Sequence, residues 1–435
     1  MNIVKIGFSE VDITPELGYP LGGYFERFSY GNSAKGVLNR IYTRTMYISD
    51  ENIEVIVNIS EVLALESEVI NKIRESASSE TGIPKKNIII GATHTHSAPD
   101  TFTSDILLFT KLYSDKDRKK ICEYLDWLRK RIVYSIAESK YAAKNVSLGF
   151  FRAHIENVCS NRVDPSLPGD TDLDFIGNPK IGALIVYPCH PTILGADNLL
   201  YSGDLYSFAA EKLKADMNEG FIPIFANGAA GDLSTRFNRK NQSVDEAKRL
   251  GSMLADQILR SMKLFKEIDQ GRIELKEKIL LLPKRDVEAE GIKEKGEKLI
   301  IQLKETLKKT DLDPATRRKL QQDLMGIQII LSNLDAFKEE LNKLPEKIPV
   351  ELKVLTIGDK IAIVFLPGEF FSAFSRTIKS RSRYELTSVV GYTNGYWAYV
   401  PTKESYEKIE YETAMSILSP GSGELITQEV LKLLG

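Results

Sequence analysis

The sequence predicts an α/β protein of mixed β-sheets layered with helices, into which one antiparallel helical hairpin is inserted. Three observations carry this reading. Short Val- and Ile-rich runs alternate with amphipathic stretches up to about residue 280. Polar clusters fall just after the carboxyl ends of several apolar runs, where open sheets usually keep their sites. From 286 to 345 the alternation gives way to leucines at three-four spacing. With 435 residues, 43% of them hydrophobic, the chain can bury a substantial core.

The elements follow in order. Residues 46–48 and 54–59 read as strands, and 64–79 has helical spacing. Residues 87–95 (Asn-Ile-Ile-Ile-Gly-Ala-Thr-His-Thr) form a buried strand that ends in polar residues. A long helix covers 111–140, core strands 181–187 and 221–225, and a further amphipathic helix 244–266. The hairpin comes next. Leu299, Leu303 and Leu307 mark one helix face, and Leu320, Leu324, Ile327, Leu331, Leu334 and Leu341 the other arm. Asp313 suits an N-cap and Pro314 a first helical turn. This segment, 286–345, divides a domain formed by 1–285 and 346–435. It is a packed or solvated structural arm, a contact for a homo-oligomer, or a lid over a site. Strands at 350–357 and 361–365 then flank Gly358-Asp359, a hairpin signal. The remaining chain is rich in tyrosine: Tyr392, Tyr396, Tyr399, Tyr406 and Tyr411.

Composition excludes several classes. The 58 basic and 60 acidic side chains leave a net charge of −2, so no basic excess exists to displace counterions from nucleic acid. No run of about 20 apolar residues predicts a transmembrane helix. Cys122, Cys159 and Cys189 are widely spaced, which indicates neither a disulfide framework nor a zinc knuckle. The first residues lack the pattern of a signal peptide, and the expectation is a cytoplasmic protein with reduced thiols.

Four histidines make each placement informative. His94 and His96 follow the apolar Ile88-Ile89-Ile90. In an extended strand, residues i and i+2 share a face, so both imidazoles would face one point, as a divalent cation or a ligand-and-base pair requires. A hydrogen-bonded pair at a strand end is the alternative. His190 closes the apolar run 185–189 and also sits where a strand yields to a loop, which favours a zinc-type site. His154 has no comparable surroundings. Zinc held by neutral imidazoles also calls for an anionic ligand. Glu369, after Leu366-Pro367-Gly368, is a candidate, or a helix-start residue favoured by the macrodipole. The run Asn227-Gly228-Ala229-Ala230-Gly231-Asp232-Leu233-Ser234 lets backbone approach a ligand, with Asp232 or Ser234 to bond it, or is a plain tight turn. It is neither a phosphate-binding loop nor a serine-hydrolase elbow.

The ordered set resembles the catalytic domain of the neutral ceramidases, zinc-dependent amidases that cleave the N-acyl bond of ceramide. The segment from Gly91 to Pro99, with its Thr-His-Thr-His core, is similar to that family's signature. So are Ser160-Asn161-Arg162, His190 followed by Ser202-Gly203-Asp204, Gly231-Asp232-Leu233-Ser234 and Leu366-Pro367-Gly368-Glu369-Phe370. Asn394 to Val400 with Glu404, Tyr406 and Tyr411-Glu412 fit as well, as do Asp12-Ile13-Thr14-Pro15 and Gly22-Gly23-Tyr24 near the start. The resemblance spans nearly the whole chain apart from the hairpin.

It implies Zn2+ bound by His94, His190, Glu369 and Tyr399, with His96 as base and proton shuttle. Arg162 and Tyr411 would stabilise charge on the carbonyl, and Ser234 would sit near the substrate. Asp100, Asp232, Arg236 and Tyr396 are expected to contact substrate. Two departures, Asp100-Thr101 after Ser97-Ala98-Pro99 and Thr235-Arg236 after Ser234, add charge near the site and suggest a substrate more polar than ceramide. No counterpart of the family's carboxy-terminal immunoglobulin-like domain or of its secretion signal is expected from this sequence. The expected activity is zinc-dependent hydrolysis of an N-acyl amide in a small-molecule or lipid-like substrate. An ester or sugar-derived amide, or a non-catalytic metal-stabilised scaffold, are the alternatives.

Overall fold

The strands assemble into three main sheets that share one apolar interior. The structure is a computed structural model describing residues 4–105, 109–268, 271–288 and 290–435. The first sheet runs Ile88–Ala92, Glu54–Ser60, Tyr42–Ser49, Lys5–Asp12 and Lys144–Asn145. The second runs Ile222–Asn227, Gly182–Tyr187, Asp172–Asn178, Leu148–His154 and Lys266–Ile268. The third joins Ile273–Pro283, Lys347–Ile357, Ile361–Phe365 and Leu386–Val390. Ile6 and Val57 of the first sheet, Phe150 and Leu184 of the second, and Leu355 and Ile363 of the third belong to one buried cluster. Period-two alternation explains how this works: each strand sends one set of side chains inward and the other to a layer of helices. Helices Leu205–Met217 and Val244–Ser261 cover the second sheet, and Ser67–Thr81 and Asp115–Tyr141 the first. Ser372–Arg381 and Ser422–Leu434 cover the third.

The mixed α/β reading therefore holds, with boundaries shifted by a few residues. The expected helix at 244–266 stops at Ser261, and Lys266–Ile268 is an edge strand. Gly358, with φ 58°, turns Lys347–Ile357 back onto Ile361–Phe365. No described helix is long and apolar enough to cross a membrane. All three cysteines are free thiols.

The segment 286–345 forms helices Ile292–Leu307, Pro314–Ser332 and Leu334–Lys343. The first two are antiparallel neighbours, since Gly296 near the start of one lies against Leu331 near the end of the other. The second arm is not continuous as the leucine spacing suggests. It breaks at Asn333, whose side chain turns back onto the Ile329 carbonyl at 2.7 Å.

Each sheet contributes one parallel pair: Glu54–Ser60 with Ile88–Ala92, Gly182–Tyr187 with Ile222–Asn227, and Ile361–Phe365 with Leu386–Val390. The loops leaving their carboxyl ends converge. Fully buried Asn227 ties them together. Its side-chain amide donates to the carbonyls of Thr93 and Cys189, both at 3.2 Å, and its backbone carbonyl accepts from the Gly391 N–H at 2.9 Å.

Candidate active site

His94 leaves its strand two residues after Ala92, and there the backbone reverses. Its φ is 69°, a left-handed conformation rare for a residue with a Cβ. The expected extended strand with both imidazoles on one face is thus corrected: a strained turn brings His94 and His96 together. Tyr392, stacked on His94, and Ala398, in the pocket wall, also have positive φ values of 55° and 53°. Strain of this kind collects where a site over-determines the backbone.

His94 and His190 are oriented alike. His94 Nδ1 lies 2.9 Å from the Leu63 carbonyl, and His190 Nδ1 2.7 Å from the Ala230 carbonyl. A carbonyl only accepts, so both Nδ1 atoms carry the proton and both Nε2 lone pairs point into the site. There they meet Glu369 Oε2, at 3.5 Å and 2.8 Å respectively. Tyr399 Oη lies 3.5 Å from His190 Nε2. Four ligands about 2.1 Å from a tetrahedral cation stand roughly 3.4 Å apart, so this donor set fits a zinc-sized ion. Glu369 and Tyr399 are neighbours by register, since the two-residue strands Glu369–Phe370 and Tyr399–Val400 pair in parallel with those residues opposite each other.

His96 Nε2 stands 3.3 Å from His94 Nε2, and the nitrogens of His94, His96 and His190 lie within 4.8 Å of one another. This is a histidine cluster that can hold a metal ion. Distance alone would admit His96 as a ligand. Its other nitrogen sets it apart, because Nδ1 has no hydrogen-bond partner and faces Gly23. Gly23 has φ 97°, and a Cβ there would stand 2.5 Å from that nitrogen. Among the described residues His96 thus lacks the backbone anchor of the other two.

The electrostatics keep the imidazoles neutral. Burial pushes His94 down to about 4, and burial together with His94 and His190 pushes His96 well below the ordinary imidazole value. Burial and the nearby Arg162 lower His190 as well. Burial opposes charge on Glu369, while the Tyr396 hydroxyl hydrogen-bonded to it favours the carboxylate. Burial raises the Tyr399 phenol well above its normal value, although Arg162 favours the charged form. Arg162 donates from Nη2 to Tyr399 Oη at 2.9 Å, and its Nε is ion-paired with Glu412 at 2.8 Å in poor hydrogen-bond alignment.

Ten of the twelve residues singled out from the sequence line one pocket: His94, His96, Arg162, His190, Ser234, Arg236, Glu369, Tyr396, Tyr399 and Tyr411. The expectation that Asp100 and Asp232 contact substrate is corrected, because neither reaches the pocket. Asp100 is fully buried and accepts from the Tyr113 hydroxyl at 2.6 Å and from the N–H groups of Thr101 and Phe102. Asp232 accepts from Asn161 and Ser372, joining three loops. Sequence reasoning missed Arg239, which no motif marks. Tyr24, from the Gly22-Gly23-Tyr24 segment, and the helix Pro314–Ser332, from the segment for which a lid was one reading, also line the wall, the helix through Asp323, Met325, Gly326 and Ile329. His154, left out of the site, is exposed and faces Asp172 at 3.2 Å.

Two predictions arise here. Gly231 packs against the ligand strand, and a Cβ on it would stand 2.4 Å from the Glu369 carbonyl oxygen. Gly231→Ala is expected to displace Glu369, cost about 1–3 kcal/mol of stability and lower the bound metal, as read by thermal denaturation and metal analysis. Burial raises the Asp100 pKa to about 6. The native state therefore holds this proton more tightly than the unfolded chain, and the contribution to stability falls as pH rises from about 4 through 6. Asp100→Asn removes that penalty. Denaturation series should show the variant gaining on the parent by up to about 3 kcal/mol between pH 4 and pH 7.

No protein-family model matches the chain. Its sequence is 26% identical to the neutral ceramidase of Pseudomonas aeruginosa over 174 residues, which are 36% of this chain and 25% of that protein. Its fold superposes on the crystal structure of neutral ceramidase from Pseudomonas aeruginosa with a TM-score of 0.74 and 18% identity, covering 100% of this chain and 74% of that one. A ceramidase complexed with C2 matches with the same TM-score, at 17% identity, over 100% of this chain and 75% of that one. The chain thus has the fold of these ceramidase structures, and its matched sequence spans about a quarter of the length of the curated relative.

Proposed function

We propose that the chain is a zinc-dependent hydrolase of neutral ceramidase type that cleaves an N-acyl amide bond. The observation that supports this most directly is the meeting of the His94 and His190 Nε2 atoms at Glu369, with Tyr399 beside them, in a pocket that also contains a neutral, unanchored His96. His94, His190, Glu369 and Tyr399 would hold the ion. When bound, zinc lowers the pKa of its water towards ~7 and polarises the substrate carbonyl. The residues then divide the work. His96 Nε2, neutral through burial, accepts a proton from the attacking water and passes it to the leaving amine. The Tyr411 hydroxyl and the Arg162 guanidinium line the same pocket and would stabilise negative charge developing on the carbonyl oxygen. Arg162 also favours ionised Tyr399 through its 2.9 Å hydrogen bond. Ser234 lines the same pocket, where it would touch substrate. The division into 1–285 with 346–435, carrying 286–345 as an inserted helical unit, belongs to the same proposal.

The test is metal analysis of the purified protein, followed by assays on matched N-acyl amides, fatty esters and N-acyl sugar amides. The proposal expects close to one zinc per chain and cleavage of the N-acyl amides that stops on chelation and returns with zinc. Amide cleavage insensitive to chelation, or turnover of the esters alone, overturns it.

A further inference from the structure

Most of the buried or half-buried arginines among the described residues pair with a carboxylate, whereas fully buried Arg27, which donates to the Gly22 carbonyl, and half-buried Arg236 and Arg239 do not. Arg44 pairs with Glu10 and Glu61, Arg74 with Glu351, Arg152 with Asp174, Arg162 with Glu412 and Arg285 with Glu290. Arg236 and Arg239 have no carboxylate within 4.0 Å among the described residues, yet both line the pocket beside the histidine cluster. Each donates one N–H to a backbone carbonyl, Arg236 to that of Arg162 at 2.9 Å and Arg239 to that of Thr192. Burial lowers the Arg236 pKa to about 10, with Arg162 adding to the effect, and burial lowers Arg239 too. A guanidinium held out of water without a counter-ion is costly, and two side by side repel. Nearby carboxylates ease them only from a distance: Glu412, which faces Arg162, and Asp323, which faces Lys319 at 2.6 Å, act on Arg236, and Asp204 acts on Arg239.

The rest of the lining gives the ligand a second property. Phe25, Leu63, Met325, Ile329 and Met415 supply an apolar wall that suits an acyl chain. The position of the arginines indicates which part of the substrate carries the charge. The Tyr24 ring packs on His96 with centroids 4.7 Å apart, and its hydroxyl donates to the Leu194 carbonyl. Arg239 is anchored two residues away, on Thr192. Arg239 and Tyr24 are close enough to interact electrostatically. This places Arg239 near the ring that packs on His96, the group that on the reading above hands a proton to the leaving amine.

We propose that Arg236 and Arg239 form an anion subsite beside the metal centre, so that the substrate is an N-acylated amine whose amine part bears a carboxylate or a phosphate. The proposal rests on the amidase reading above and narrows it: the charge-bearing amine is recognised by a guanidinium pair, and the acyl chain by the apolar wall. Arg offers a planar fork matched to either anion, which explains why two arginines stand here rather than lysines.

The experiment compares N-dodecanoyl-glycine, N-dodecanoyl-ethanolamine and the O-phosphate of the latter as substrates of the zinc-loaded protein. In parallel, calorimetry follows binding of dodecyl phosphate and of dodecanol, which contain no amide. The expected kcat/KM is about tenfold or more higher for a charged amide than for the neutral one, the size of one charge-assisted hydrogen bond. Whether the carboxylate or the phosphate member leads tells which anion the site takes. Arg239→Gln and Arg236→Gln should each lower the charged-to-neutral ratio towards one, with Arg239→Lys restoring part of it. Equal kcat/KM on charged and neutral amides overturns the subsite while leaving the amidase standing. Arginine-dependent binding of dodecyl phosphate without cleavage of any amide keeps the subsite and overturns the amidase. Should the glutamine variants not fold, the parent protein's ratio decides alone, and a value near one overturns the subsite.

Discussion

His94→Ala and Glu369→Gln proteins are expected to purify folded but without metal, and to lose amide hydrolysis by at least about a thousandfold. The reason lies in the geometry. Glu369 Oε2 is the point that both imidazoles face, at 3.5 Å and 2.8 Å, so it is the one anionic group set between two neutral nitrogens. Removing His94 leaves His190 and Glu369 with Tyr399, whose phenol is held by burial well above its normal value even with Arg162 beside it. Removing the Glu369 charge leaves neutral donors only, which bind a divalent ion weakly. Both changes lie at strand ends rather than in the apolar interior, so the fold should survive. Metal content by atomic spectroscopy, together with turnover, is the measurement. A His94→Ala protein with full metal and full activity would sink the assignment.

His96→Ala separates chemistry from binding. It is expected to keep its metal, because the anchored pair His94 and His190 remains, and to lose about 10²–10⁴ in kcat, the span of a lost general base. Loss of metal instead would make His96 a ligand, which its 3.3 Å distance from His94 Nε2 permits. The parent protein provides a pH check of the same idea. Burial and the two neighbouring imidazoles push His96 well below the usual imidazole value, so the base stays unprotonated through mildly acid conditions. The acid limb of kcat/KM should therefore lie below about pH 6.5, the value for a free imidazole. A limb at or above that pH contradicts the environment assigned to His96.

Much of this site was legible in the sequence because it is built at strand ends. His94, His190 and Glu369 each follow an apolar run, and apolar runs are the most readable feature of a buried sheet. The failures are equally specific. Asp100 and Asp232 lie next to site residues in the chain, but each turns inward to satisfy backbone and side-chain donors, a choice made by loops the sequence does not bring together. The pairing of His94 with His96 was anticipated for the wrong reason, since a positive φ and not strand alternation achieves it. Asn227, which binds three strand ends, looked like part of a glycine-rich turn.

By itself the sequence determined the alternation of strands and helices, the position of the polar clusters after the strands, and the residue types able to hold a cation. Those are properties of neighbours along the chain, set by side-chain period and by where apolar runs stop. Only the tertiary structure decided which face each polar side chain presents, and that two arginines without counter-ions and the helix Pro314–Ser332 share a pocket with the histidines. The physical reason is distance along the chain: Arg162 and Tyr399 are 237 residues apart and meet at 2.9 Å only after three sheets have packed on one core.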